Sequence, residues 1–373
     1  MAKAVYVGVG SKARKMKKAY IGIGGKARKV KKMYIGVGGK ARLCYSAELE
    51  KVGMATALST TRYDMRAATV GKYALFAGGY ISKSSFGYSV SSSVDAYNTS
   101  LTKSTPTELS CKRCGHAAAS VGGYALFAGG ASSYNIFGYD DIVSSVDAYD
   151  ASLTRSAAHI IGVTVAIGGA AVGNYALFAG GTVYSQVNKD NVTSDVLAYD
   201  PSLTFTTAPL LSVARANVKG ASAGNYALFA GGRAGSFCTT VDAYNASLTR
   251  TTATALSSTK NNSAAATVGN HAIFVGNTAS ADIYDASLTK TSAAILSTAR
   301  TGLAATTVGD YAIFSGGGVA DFCDASLTRS NIGTSMTGYD MGAATIGDYA
   351  LFAGGHSGEK SDTAYDSVEV YTA

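Results

Sequence analysis

The densest cluster of chemistry-bearing side chains is Cys111-Lys112-Arg113-Cys114-Gly115-His116, with three groups able to ligate zinc. Zinc needs four ligands, and no second pair follows at metal spacing. The four histidines, His116, His159, His271 and His356, are scattered along the chain. His271 stands where equivalent segments carry tyrosine, which makes it a packing variant. Gly22-Ile23-Gly24-Gly25-Lys26 has the outline of a phosphate loop. It lacks the following Ser or Thr, since Ala27 is there, and no βαβ pattern surrounds it. No nucleophile–base pair or carboxylate dyad stands out. The expectation is a protein that is not an enzyme, with no catalytic residue, no metal and no cofactor.

The elements around these residues are short. The chain has 373 residues, with 47% hydrophobic and 15% charged, enough to bury a sizeable core. Its 44 glycines against three prolines exclude collagen and proline-rich linkers and fit tight turns between strands. No apolar stretch has the length of a membrane helix, so no membrane insertion is expected. The start, Met1-Ala2-Lys3-Ala4-Val5-Tyr6-Val7-Gly8, has no apolar core of a secretory signal. Five cysteines, odd in number and widely spaced, argue against a disulfide scaffold. The net charge of +8 is unevenly divided. Residues 1–47 carry 13 Lys/Arg and no Asp/Glu, and the other 19 basic residues against 24 acidic ones leave the remainder at −5. A body of that charge is not suited to specific nucleic-acid binding.

Two repeats run through the chain. The first has a 14-residue period, marked by Tyr6, Tyr20 and Tyr34 and by Arg14, Arg28 and Arg42. Each copy predicts two short strands around a glycine turn. The second begins near residue 51. Tyr73-Ala74-Leu75-Phe76-Ala77-Gly78-Gly79 recurs, with drift, at Tyr124, Tyr175, Tyr226, His271, Tyr311 and Tyr349. Each copy is followed by a phrase such as Val94-Asp95-Ala96-Tyr97-Asn98, and six of the seven by Ser-Leu-Thr. In the first unit strand a is predicted at Ala67–Val70, strand b at Tyr73–Ala77, strand c at Val94–Tyr97, and strand d from Leu101 to about Leu109. Four short strands per unit at this period are the signature of propeller blades. The chain reaches Ala373 just after strand c of the seventh unit, while Val52–Ser59 matches a strand d. That segment is expected to complete the seventh sheet. Aspartates such as Asp95, Asp147 and Asp242 recur at one place in most units, which speaks for a structural role.

Lys112 to Gly130 resembles a Kelch repeat: it has the Arg113-x-Gly115-His116 start, the Gly129-Gly130 pair and the later Val146-Asp147-Ala148-Tyr149-Asp150. The resemblance covers residues 51–373 and recurs in seven units. It departs in having no tryptophan, which leaves the packing between blades open but not the fold. It implies an all-β protein, a seven-bladed Kelch-like β-propeller over residues 46–373, closed by an N-terminal strand. A short basic β-repeat arm, residues 1–45, precedes it. The arm is similar to N-terminal units of phage tail and prophage structural proteins of Gram-positive bacteria.

Between the glycine pair and the acidic position of strand c the units hold 15, 16, 15, 9, 4, 3 and 13 residues. The long loops belong to units one, two, three and seven, neighbours in a closed ring. Variable loops on a rigid scaffold are where binding usually sits. Phe-Gly-Tyr occurs in the first two. Such loops, rich in Tyr, Ser, Gly and Asn, suit a contact surface. The candidate ligand-binding residues are Tyr80, Phe86, Tyr88, Tyr134, Phe137, Tyr139, Asp140, Asp141 and Tyr184; the alternative is that these loops only pack on each other. In the arm, Lys12, Arg14, Lys26, Arg28, Lys40 and Arg42 are the candidate attachment residues. The resulting expectation is a phage or prophage tail protein in the virion, with the arm on a tail or baseplate protein. Its loops would face a host-surface glycan or protein, and a homo-oligomer, a trimer first, is possible. A bacterial Kelch-type adaptor in the cytoplasm is the alternative, and a propeller enzyme is the weakest reading.

Overall fold

The computed structural model describes the chain apart from residues 1–5, 10–11, 16–18, 24–25, 31, 38–39, 47–48, 86, 136–137, 159–161, 163, 166, 184–190, 261–263, 336 and 359–362. The described residues are all-β, with no helix and so none long and apolar enough to cross a membrane. Four-stranded antiparallel sheets of one pattern follow each other along the chain. In the first, strand a is Arg66–Val70, strand b Tyr73–Ala77, strand c Val94–Asn98 and strand d only Lys103–Ser104. The next six begin with strands a at Ala117–Val121, Gly168–Val172, Lys219–Ala223, Ala264–Val268, Ala304–Val308 and Gly342–Ile346. The seventh takes its outer strand from the other end of the body: Glu50–Ala55 pairs antiparallel with Val368–Thr372. This strand starts and stops earlier than the sequence pattern predicted. Residues 56–59 instead cross to the first sheet, where the Tyr97 hydroxyl donates to the Thr56 carbonyl and Ser59 bonds Asp95.

Strand b explains the architecture. Its Ala-Leu-Phe-Ala run is buried on both faces, so it reads as continuous rather than alternating. One face packs on the preceding sheet and the other on the following one. The apolar residues accordingly form clusters that each join two consecutive sheets, including the seventh with the first. The tyrosine of strand c packs between consecutive sheets. Tyr97 lies edge-on to Phe76 at 5.9 Å and belongs to the cluster shared with the seventh sheet. Tyr149 repeats this on Phe127.

Around the axis, the first strands touch in order and the seventh touches the first. A series of hydroxyl-to-carbonyl bonds follows the same circuit. Ser120 donates to the Thr69 carbonyl at 2.7 Å, Thr69 to Thr345 at 3.0 Å, Thr345 to Thr307 and Thr307 to Thr267. Thr267 donates to Ser222 at 3.0 Å and Ser222 to Ala171 at 2.7 Å. Ala171 has no hydroxyl to continue it. The paired glycines after strand b are required by the neighbouring unit. Gly78 (φ +64) and Gly79 (φ +95) are left-handed, and a Cβ on Gly78 would lie 2.6 Å from the Arg113 carbonyl oxygen.

The recurring aspartate of strand c holds each unit to the loop that enters it. Asp147 pairs with the fully buried Arg113 at 2.7 Å and with Arg155 of strand d at 2.9 Å. Ser110 donates to the same carboxylate through backbone N–H and hydroxyl. Asp95, Asp242, Asp282 and Asp321 have equivalent partners in Arg62, Arg215, Lys260 and Arg300. In the seventh sheet Glu369 takes the place and Lys51 is its cation. The third sheet carries neither charge: Leu197 replaces the aspartate, Phe205 the strand-d cation, and Thr164 the buried arginine.

The 14-residue repeats form three separate hairpins: Tyr6–Val9 with Lys12–Lys15, Tyr20–Ile23 with Lys26–Lys29, and Lys32–Val37 with Lys40–Ser46. Two-stranded hairpins are marginal alone in water. Ile21 and Tyr34 are exposed by 53% and 58%.

Candidate functional site

The loops between strands b and c share a face with those that lead into strand a. Tyr63 and Tyr80 exchange backbone hydrogen bonds, as do Cys114 and Ala131, Ala216 and Arg233, and Tyr339 and His356. In the first two units the long loops go further. Tyr80–Ser84 pairs with Gly87–Val90, and Ala131–Asn135 with Gly138–Ile142. The two hairpins then join, with Gly87 opposite Asn135 and Tyr88 opposite Tyr134, into one four-stranded sheet. The glycine of the first Phe-Gly-Tyr is what allows this. Gly87 has φ +143, and a Cβ there would collide with the Tyr134 carbonyl oxygen.

This sheet carries an aromatic row. Tyr88 and Tyr134 meet edge-on at 5.1 Å, and Tyr80 lies 5.0 Å from Tyr88 and 5.9 Å from Tyr134. The row continues through Tyr63 (5.3 Å from Tyr80) and His356 (4.8 Å from Tyr63) to Tyr339. It thus spans units two, one and seven. Tyr63 and Tyr80 are buried, while Tyr88, Tyr134, Tyr339 and His356 are half-buried. Lys83 places its ammonium 5.7 Å from the Tyr88 ring. Burial, with Tyr88 and Cys114 nearby, raises the Tyr134 phenol above its ordinary pKa.

Of the sequence-predicted contact residues, the structure thus gathers Tyr80, Tyr88 and Tyr134, with Tyr80 as floor and the other two as partly open edge. Asp141 is exposed, in left-handed conformation (φ 48), and accepts a hydrogen bond from Ser133. Tyr139 and Asp140 lie on Gly138–Ile142, and their side chains are outside the description, as are Phe86, Phe137 and Tyr184. Lys12, Arg14, Lys26, Arg28, Lys40 and Arg42 all lie on the arm strands.

Beside the aromatic row opens the mouth of an axial cavity of about 250 Å³, followed by a stretch of about 400 Å³ lined by alanine, threonine and serine. Arg66 and Lys219 enter the mouth. Arg66 donates to Asp64 at 2.6 Å and to the His116 carbonyl at 2.9 Å. Asp340 and His356 lie 3.1 Å apart. Burial pushes the Asp340 carboxyl up, but the His356 contact and the charges of Lys219 and Arg66 outweigh it and hold the group below its ordinary pKa. Sequence reasoning did not select Asp64, Arg66, Lys219, Asp340 or Tyr339. The signal was present: at the first position of strand a, Arg66 and Lys219 break a series of Ala117, Gly168, Ala264, Ala304 and Gly342.

The Cys-rich segment is dispersed. Cys111 faces Ser145 and Arg113, whereas Cys114 is buried and donates to the Ala131 carbonyl. Burial pushes the Cys114 thiol up to about 12. His116 is fully buried with both ring nitrogens unpartnered, and burial, reinforced by Arg66 and Arg113, holds its pKa well below the ordinary value. Among the described residues no three His, Cys, Asp or Glu side chains group as a metal site. No protein-family model matches the chain, and no curated protein matches it either.

Proposed function

We propose that the body is a seven-bladed Kelch-like β-propeller and that the protein is a recognition component of a phage or prophage tail. The arm attaches to the particle through a tail or baseplate protein, and the loop face meets a host-surface ligand. What carries the recognition reading is the sheet formed jointly by the loops of the first two units. A propeller needs no such sheet to close. Its cost in ordered backbone is offset by a preorganised aromatic surface, which lowers the entropy lost on binding. The even repeat of hairpins and the 13 uncompensated cations support the arm as a separate attachment device for an acidic partner.

The test is binding of the full chain to Gram-positive cell-wall material, before and after Tyr88→Ala and Tyr134→Ala, with melting temperature recorded alongside. Loss of binding at nearly unchanged melting supports recognition. A fall in melting with binding retained by the folded fraction returns both tyrosines to packing.

A further inference from the structure

The first residues of six of the seven strands a line the mouth of the axial cavity, and Gly342 begins the other strand a. Five of the seven are Ala or Gly, so the fold has no need of a charge there. The two exceptions, Arg66 and Lys219, belong to units one and four, which are not neighbours around the ring. Their situations differ. Arg66 is engaged by Asp64 and the His116 carbonyl. Lys219 is half-buried, yet its ammonium has no hydrogen-bond or ion-pair partner among the described residues. Burial lowers its pKa and Arg66 lowers it further, against a weaker opposite pull from Asp64 and Asp340. A partly desolvated cation without a partner is destabilising. It is relieved when an anion enters.

The surroundings narrow the anion. Asp64 and Asp340 flank the cations, and Asp340 keeps 45% of its side chain exposed, free to accept hydrogen bonds. Two carboxylates repel a polyanion such as a nucleic acid or a run of acidic side chains. They suit a single anionic group on a scaffold rich in hydroxyls. The cavity of about 250 Å³ lies just below the usual range for drug-sized ligands, room for one small polar unit. Met65 and Met341 line it, and Tyr63 and Tyr339, two residues before them, meet His356 in the aromatic row.

We propose that this mouth receives an acidic sugar unit of a glycan, its anionic group on Lys219 and its hydroxyls on Asp64, Asp340 and Arg66. The proposal rests on the recognition reading above and names its ligand chemistry. A carboxylate and a phosphate share that chemistry.

The test uses the full chain at physiological salt, titrated calorimetrically with four probes: a neutral oligosaccharide bearing one terminal hexuronate, its carboxyl-reduced counterpart, glycerol monophosphate and an oligo-glutamate peptide. The expected result is that at least one acidic sugar or polyol probe binds roughly tenfold to a hundredfold more tightly than the neutral one, the worth of one charged hydrogen bond. The hexuronate and phosphate arms tell which source is preferred. Lys219→Ala, which installs the residue already present in units two, five and six, abolishes the preference for the acidic probe over the neutral one, and melting holds or rises as the unpartnered cation is removed. Equal binding of acidic and neutral sugars overturns the role of Lys219 while the recognition reading stands. Tighter binding of oligo-glutamate overturns the glycan assignment. Failure of both acidic sugar probes overturns the proposal outright; whether recognition also fails is then read from cell-wall binding by Tyr134→Ala.

Discussion

The second and third sheets share one backbone and differ in what fills it. Asp147 and Leu197 occupy the same register, opposite Phe127 and Phe178 of their strands b. Around Asp147 stand Arg113, Arg155 and Ser110. Around Leu197 the chain has Thr164 and Phe205, with Tyr199 and Phe205 in ring contact at 5.8 Å. The whole ionic set has been exchanged for an apolar one without disturbing strand pairing. The fold therefore does not depend on the ion pairs as such. It depends on no charge being left alone, since breaking a buried pair costs far more than replacing it.

The largest effect comes from breaking that rule in the second sheet. Asp147→Leu alone strands the fully buried Arg113 and is expected to destabilise by about 3–5 kcal/mol in urea unfolding. The triple change Arg113→Thr, Asp147→Leu, Arg155→Phe copies the third sheet and is expected to cost below about 1 kcal/mol. A triple variant as unstable as the single one would mean that the ion cluster is indispensable where it occurs. The converse change is smaller because Leu197 is only half-buried. Leu197→Asp is expected to cost about 2 kcal/mol, of which adding Phe205→Arg recovers about 1 kcal/mol. No recovery in the double variant would show that the third sheet no longer accepts the ionic arrangement.

The same two sheets differ at His116 and Ile167, both buried where their strands a begin. His116 faces Arg66, Arg113 and Arg62, all cationic, and has its folded-state pKa well below the ordinary 6.5. The unfolded chain then binds a proton that the folded one refuses. Stability is full above about pH 6.5 and falls as the pH drops below it, by up to about 1.4 kcal/mol per pH unit, until the folded-state pKa is reached. His116→Ile, which copies the third unit, is expected to flatten the stability profile between pH 6.5 and 5. Asp340, whose folded-state pKa is also lowered, loses its contribution only at more acid pH, below the ordinary carboxylate value. An unchanged slope in the variant would assign the acid sensitivity elsewhere.

The comparison also marks what could be read from residues alone. Repetition made strands a, b and c legible, because strand b is a buried run and strand c carries Asp-x-Tyr in four of the seven units. The strand that completes the seventh sheet was legible from its likeness to a strand d, though its ends were not. Thr56 and Ser59 leave the sheet to serve Tyr97 and Asp95, and nothing local announces those distant partners. Strand d of the first unit, Lys103–Ser104, is far shorter than its pattern suggested for the same kind of reason. The Phe-Gly-Tyr loops were visible as candidates, but their union into one sheet was not. It requires Gly87 to meet Asn135, a pairing between two units that no periodicity encodes. The mouth residues Arg66 and Lys219 are exceptions within the repeat, and gain meaning only once the ring brings seven equivalent positions around one axis.

The smallest effect tests the ring itself. The third unit interrupts the hydroxyl series at Ala171, which is exposed toward the axis and leaves the Ser120 carbonyl without the donor its counterparts have. Ala171→Thr places a hydroxyl where Thr69, Thr267, Thr307 and Thr345 already have one. The expected gain is about 0.5–1 kcal/mol, with a melting rise of about 1–2 °C in a body of this size. Threonine also favours a strand over alanine, so Ala171→Val is the control: it adds the branched side chain without the donor. If threonine exceeds valine, the circuit of hydroxyl-to-carbonyl bonds stabilises closure of the ring. If the two are equal, the gain is strand propensity alone, and the series at the other six positions is a consequence of closure rather than a contributor to it.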